Sequence, residues 1–136
     1  MKIKPTDPAS FPAHFPPAGA PLRPARDVVF EAFLTQVCRH ADRFESNAAR
    51  RARHRYAAAA QRLETQGAQT AASRWLACGE LGEGLSRQQM SRLFRPIRDQ
   101  LTRQLGSARS EQVLASALRA AERLPESACF SPLEIY

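Results

Sequence analysis

Proline is distributed very unevenly in this chain, and its placement limits the fold more than any other feature. Seven of the ten prolines, Pro5, Pro8, Pro12, Pro16, Pro17, Pro21 and Pro24, lie within residues 1–24, and none falls between 25 and 95. Proline fixes φ and removes an amide donor, so neither a helix nor a central strand persists through a run of this density. Residues 1–24 therefore read as a disordered Pro-rich arm, partly extended in the polyproline manner. Phe11-Pro12 and Phe15-Pro16 repeat an aromatic-proline pair within it; the composition alone reads as a floppy tail, and the alternative is a docking peptide or a signal-peptide-independent export signal.

Past Ala25 the apolar residues recur every three or four positions. Phe30, Phe33, Val37, Ala41, Phe44, Ala48, Ala52, Tyr56, Ala59 and Leu63 trace one face of a helix. The spacing predicts a long first helix over 26–66, about 60 Å at 1.5 Å per residue, ended by Gly67 at a C′ position. Ser46-Asn47 is the alternative, a break that would make two helices. A short helix is expected near 68–78, then a loop at Gly79, Gly82 and Gly84. Ser86 followed by Gln89 is a capping-box pattern. It opens a helix whose stripe is Met90, Leu93, Phe94, Ile97, Leu101 and Leu105. Pro96 inside that stripe predicts a kink, or separate helices over 86–94 and 96–105. A last helix, capped by Ser107 or Ser110, carries Val113, Leu114, Ala117, Leu118, Ala121 and Leu124 and stops at Pro125. Strand-type alternation is absent and β-branched residues are few. The expectation is an all-α bundle of three to five helices: arm 1–24, helical domain 25–124, and a tail 125–136 that docks through Phe130, Leu133, Ile135 and Tyr136.

The length of 136 residues suits one domain. No window approaches the 18 apolar residues of a membrane span, and no apolar stretch follows Lys2 and Lys4 as in a cleavable signal. Cys38, Cys78 and Cys129 are odd in number and far apart, which fits reduced thiols in a cytoplasmic setting. Arginine in place of lysine, with abundant alanine, fits the coding bias of a GC-rich bacterial genome.

Catalytic and cofactor patterns are missing from the sequence. The glycine stretch Gly79–Gly84 has no lysine and carries Glu80 and Glu83, which would repel a phosphate. Both lysines sit in the arm, where desolvation cannot depress a pKa. Cys38 and His40 are two apart, so on a helix they point to nearly opposite sides and cannot share an ion. His14, His40 and His54 have no local carboxylate motif. A non-enzyme with no cofactor, metal or small-molecule substrate is expected.

Charge is more informative. The net charge is +7, and 18 of the 20 cations are arginines. The excess sits in 1–25, in 26–66 and in 86–106. Arg50, Arg51, Arg53 and Arg55, beside His54, form the densest cluster. Guanidinium forks suit phosphate and carboxylate alike. A second basic element, residues 84–94, resembles the recognition helix of helix-turn-helix DNA binders: a glycine, a capping serine, then Arg87, with Gln88, Ser91, Arg92 and Arg95 sharing one face. Such residues read bases in the major groove, although the glycine loop is longer than the usual three- or four-residue turn.

Between 25 and 124 only 20 residues are Leu, Ile, Val or Phe, a small core to offset chain entropy. Together with the small-residue stripe Ala48, Ala52, Tyr56 and Ala59, this predicts burial against another protein chain or a second copy. The expected function is a helical protein–protein interaction module, an adaptor or accessory subunit of a bacterial assembly, secretion components and exported substrates included. The alternative is a basic nucleic-acid-binding regulator.

Overall fold

The computed structural model describes residues 23–134. The arm assigned to 1–24 therefore lies almost wholly outside the described residues, as do Ile135 and Tyr136. The described residues form five α-helices and no strand: α1 Ala25–Ala41, α2 Ala48–Ala60, α3 Gln66–Cys78, α4 Arg87–Leu105 and α5 Ser107–Glu122. Two short 3-10 turns, Pro125–Ala128 and Pro132–Glu134, follow. No helix among the described residues is long and apolar enough to cross a membrane.

The long first helix is replaced by two, as in the alternative reading: the break spans residues 42–47 and takes in Ser46-Asn47, with Asn47 at the N-cap of α2. α1 stops at Ala41, and the Asp42 carboxylate accepts the Ala49 backbone N–H at 2.9 Å. That bond satisfies one of the free amides at the start of α2 and places a negative charge at the positive end of its dipole. Phe44, counted in the apolar stripe, lies in the turn and is 36% exposed. Gly67 does not terminate α2; it lies in the first turn of α3, whose N-cap is Thr65, with Oγ1 accepting the Ala68 N–H at 3.1 Å.

The Ser86–Gln89 capping box forms in both directions. α4 then runs as one helix through Pro96, so the split into 86–94 and 96–105 does not occur. Leu93, Phe94, Ile97 and Leu101 on both sides of Pro96 are buried in one core, which offsets the single backbone bond lost there. α5 is not capped by a serine: Gly106 occupies the N-cap, and Ser110 is buried with its hydroxyl 3.3 Å from that of Thr102.

Helices α1, α2, α4 and α5 surround a shared core, with α1 beside α2 and α5, and α4 beside α2 and α5. Phe33 of α1 meets Phe94 of α4 at the centre, ring centroids 5.2 Å apart. Successive hydrogen bonds Gln104–Glu45, Arg55–Gln100 and Gln89–Glu64 show that α2 and α4 run antiparallel. α3 packs on α2. The glycine loop after it stays close because Gly82 donates to the Ala71 carbonyl at 3.0 Å, where a Cβ would come within 2.8 Å of Ala71 Cα. The loop is also tied to α1. Glu31 receives Arg23 on both carboxylate oxygens and accepts the Leu81 N–H. The tail docks on α1 and α5, with Phe130 and Pro132 buried and Leu133 exposed.

Asp27, in the first turn of α1, is only 2% exposed. Burial pushes its carboxyl pKa up, partly offset by Arg26 and Arg23, while Glu31 and Glu83 push in the same direction as burial. The folded pKa thus exceeds the unfolded value of about 3.9. Its contribution to stability is fully present below that value and is lost as pH rises through the folded pKa. Urea titrations should therefore find Asp27→Asn close to wild type near pH ~3 and more stable than wild type at neutral pH. An Asn variant that is weaker at neutral pH would show that the carboxylate itself is required.

Candidate functional site

The two basic segments come together across one helix pair. Because α2 and α4 are antiparallel neighbours, the face of α2 that carries Arg55 opens toward the face of α4 that carries Arg92 and Arg95. The groove between them has a volume of about 350 Å³. It is lined by Arg55, Arg62, Arg92, Arg95 and Arg103, with Ala58, Ala59, Leu63, Pro96 and Asp99. A second hollow of about 330 Å³ continues it along α2, lined by Arg50, Arg51, His54, Arg55 and Gln100. Seven arginines thus share one face, against the carboxylates of Asp99 and Glu64 among the described residues.

Local periodicity builds each row. On α4, positions 92, 95, 99 and 103 follow at steps of three and four, so they stack along one side of the helix. On α2, positions 51 and 55 are four apart, and Arg62, seven residues on in the turn after the helix, lines the same groove. The buried stripes Ala48, Ala52, Tyr56 and Ala60 on α2 and Met90, Leu93, Phe94, Ile97 and Leu101 on α4 orient these rows by packing inward. Alanines on α2 let the two helices approach closely, which brings the rows into one groove.

Polar contacts hold part of the set. Arg55 Nε donates to Gln100 Oε1 at 3.2 Å. Arg92 Nη2 donates to Glu64 at 2.5 Å, and the Gln89 side-chain amide donates to the same carboxylate. Those bonds, Arg92 first, hold the Glu64 carboxyl below the usual range. Arg95, Arg62 and Arg103 are exposed to solvent.

The residues singled out from the sequence are distributed more widely than expected. Arg50, Arg51 and Arg55 join the basic face. Arg53 turns away from it, with its guanidinium 5.0 Å from the Trp75 ring centroid. Arg92 and Arg95 line the groove. Gln88 is exposed and Ser91 half-buried outside its lining residues, while Arg87 lines a hollow with Pro24, Arg26 and Phe130. The expected reading face is therefore divided. Nor does the segment form a helix-turn-helix unit, because α4 takes α2 and not α3 as its main neighbour. Ala48, Ala52 and Tyr56 are fully buried by the chain's own helices, with Tyr56 Oη donating to the Ala72 carbonyl at 2.7 Å. Ala59 is half-buried. The stripe assigned to a partner chain thus has almost no free surface in this fold.

Arg62, Arg103, Glu64 and Asp99 belong to the site and were not expected in it. Their helical spacing from Arg55 and Arg92 was available in the sequence, but the pairing of α2 with α4 was not. Cys38 is buried, whereas His40 faces the side of α5 with Arg43 and Arg119. Burial, then the neighbouring arginines, lowers the His40 pKa. Among the described residues no group of three or more His, Cys, Asp or Glu is placed to hold a metal ion. Chemically, the groove can do one thing well: present forked guanidinium donors to a row of anionic oxygens. Comparison with protein-family models, with curated proteins and with solved structures finds no match for this chain.

Proposed function

We propose that the chain is a non-catalytic helical interaction module, an adaptor or accessory subunit, that meets an anionic partner on its α2–α4 face. The observation that carries this reading is the convergence of Arg55, Arg62, Arg92, Arg95 and Arg103 on one open groove. Solvated charges usually spread over a surface; bringing them together raises mutual repulsion, which a bound polyanion relieves. The nearly complete burial of the alanine stripe moves the expected partner surface from that stripe to this groove.

The test compares two triple variants of equal net charge. One carries Arg62→Glu, Arg95→Glu and Arg103→Glu; the other carries Arg39→Glu, Arg119→Glu and Arg123→Glu on exposed positions elsewhere. On immobilised heparin, the groove variant should elute at clearly lower salt than the control variant. Equal shifts would mean that net charge alone governs binding, and the α2–α4 face would lose its role.

A further inference from the structure

We propose that the α2–α4 groove grips the sugar-phosphate backbone of double-stranded nucleic acid and does so without reading its sequence; this rests on the reading of that face as the partner surface. Arg92 and Arg103 mark the ends of the α4 row, eleven residues and so about 16 Å apart. Arg51 and Arg62 span a similar stretch on the opposite wall. Duplex DNA places one phosphate per ~3.4 Å of axis on each strand, but along the winding backbone ridge successive phosphates lie roughly 7 Å apart, so about two to three phosphates of one strand fall within the groove. A convex backbone ridge suits a concave trough with guanidinium donors on both walls.

The lining separates this partner from two others. The core of a protein–protein interface is depleted in charge and anchored by aromatic residues. Among the described residues, the groove lining has no aromatic, and its apolar members are Ala58, Ala59, Leu63 and Pro96. Protein–DNA interfaces are much more positively charged than protein–protein ones, which is the character found here. Single-strand binders stack bases on aromatic side chains. The exposed large hydrophobics among the described residues, Phe44 and Leu133, do not line the groove. Phe44 sits near Arg109 of α5, whose guanidinium is 5.7 Å from its ring centroid.

Sequence-independent binding follows from how α4 is held. A major groove about 12 Å wide admits one helix. α4 is flanked by α2, and two packed helices with axes 8–10 Å apart present about 20 Å of width. Arg92, the best-placed candidate for a bidentate base contact, is held by Glu64.

Binding of a labelled random 20-base-pair duplex to the full chain, followed by fluorescence anisotropy, tests the inference. Two to three phosphate contacts give a log–log salt slope of about −2 to −3, or roughly 10- to 40-fold weaker binding at ~200 mM than at ~50 mM salt. Arg62→Gln, Arg95→Gln and Arg103→Gln should each flatten the slope by about 0.9. Glu64→Gln should strengthen binding by releasing Arg92, and Asp99→Asn by removing a repelling charge. Arg39→Gln and Arg123→Gln should leave affinity nearly unchanged, and duplexes of different sequence should bind alike. Thermal melting of each variant confirms folding.

No binding at ~50 mM salt, where the electrostatic term is strong, overturns the inference. So does tighter binding of a single strand of equal length, or loss in the two control variants as large as in the groove variants. Poly-glutamate separates the two levels of the argument. If it binds through the groove arginines and the duplex does not, the anionic-partner reading stands and the nucleic-acid assignment fails. If neither binds, both fail.

Discussion

Replacing Trp75 by alanine should lower the unfolding free energy by about 3–5 kcal/mol, the range for removing a large aromatic from a core. Trp75 is the one large side chain that α3 commits fully to the interior; it is 1% exposed, and its companions are Ala68, Ala71 and Ala72. Its indole N–H donates to Thr35 Oγ1 of α1 at 3.1 Å. Its ring meets Tyr56 of α2 edge-on at 4.8 Å, and Arg53 covers it. One side chain therefore joins α3 to both α1 and α2. Domains of this kind are stable by only about 5–15 kcal/mol, so the variant should show a large fall in its urea midpoint by far-UV circular dichroism. Trp75→Phe should cost less, because it keeps the aromatic contact and gives up the Thr35 hydrogen bond, a difference of about 1 kcal/mol. A loss below about 1 kcal/mol in the alanine variant would mean that α3 is anchored elsewhere.

Ala52→Leu should destabilise the isolated protein by roughly 1–3 kcal/mol through overpacking. Ala52 is fully buried in the α2 stripe with Ala48, Tyr56 and Ala60, and the neighbours of α2 are α1, α3 and α4. Three added carbon atoms have no space there. Were the face open, leucine and alanine are both good helix formers and the change would stay within about 0.5 kcal/mol. The same variant should also weaken polyanion binding, because forcing α2 away from α4 separates the two arginine rows. Unchanged stability together with unchanged binding would show that close approach of these helices neither supports the fold nor shapes the groove.

Features that depend on residues a few positions apart were legible. The Ser86–Gln89 capping box, the helical stripes of α4 and α5, and the all-α class all rest on i to i+3 and i+4 relations, which a linear reading sees directly. The break in the first helix was harder to see. Ala41 and Ala48 are seven residues apart, close to two full turns, so the apolar phase continues through the turn as though the helix did. Phe44 fills the expected position in between. Ser46-Asn47, the alternative breaking point in the sequence, does lie in the break, and the Ala49 amide donates to Asp42 across it, a contact over seven residues that periodicity does not register. At Pro96 the local rule allowed a split into two helices, and burial on both sides of the proline outweighed it.

The site shows the same division. Helical spacing alone places Arg92, Arg95 and Arg103 along one side of α4, and Arg51 and Arg55 along one side of α2. Amphipathic periodicity says that each helix buries a stripe but carries no information about which helix covers it. The antiparallel pairing of α2 with α4 turned two solvated rows into one groove and enclosed the alanine stripe that had been assigned to a partner. It also set Glu64 against Arg92, 28 residues apart in the chain. Pairing depends on how buried volumes from distant segments fill a common core, and that is a property of the packed chain, not of any single stretch of it.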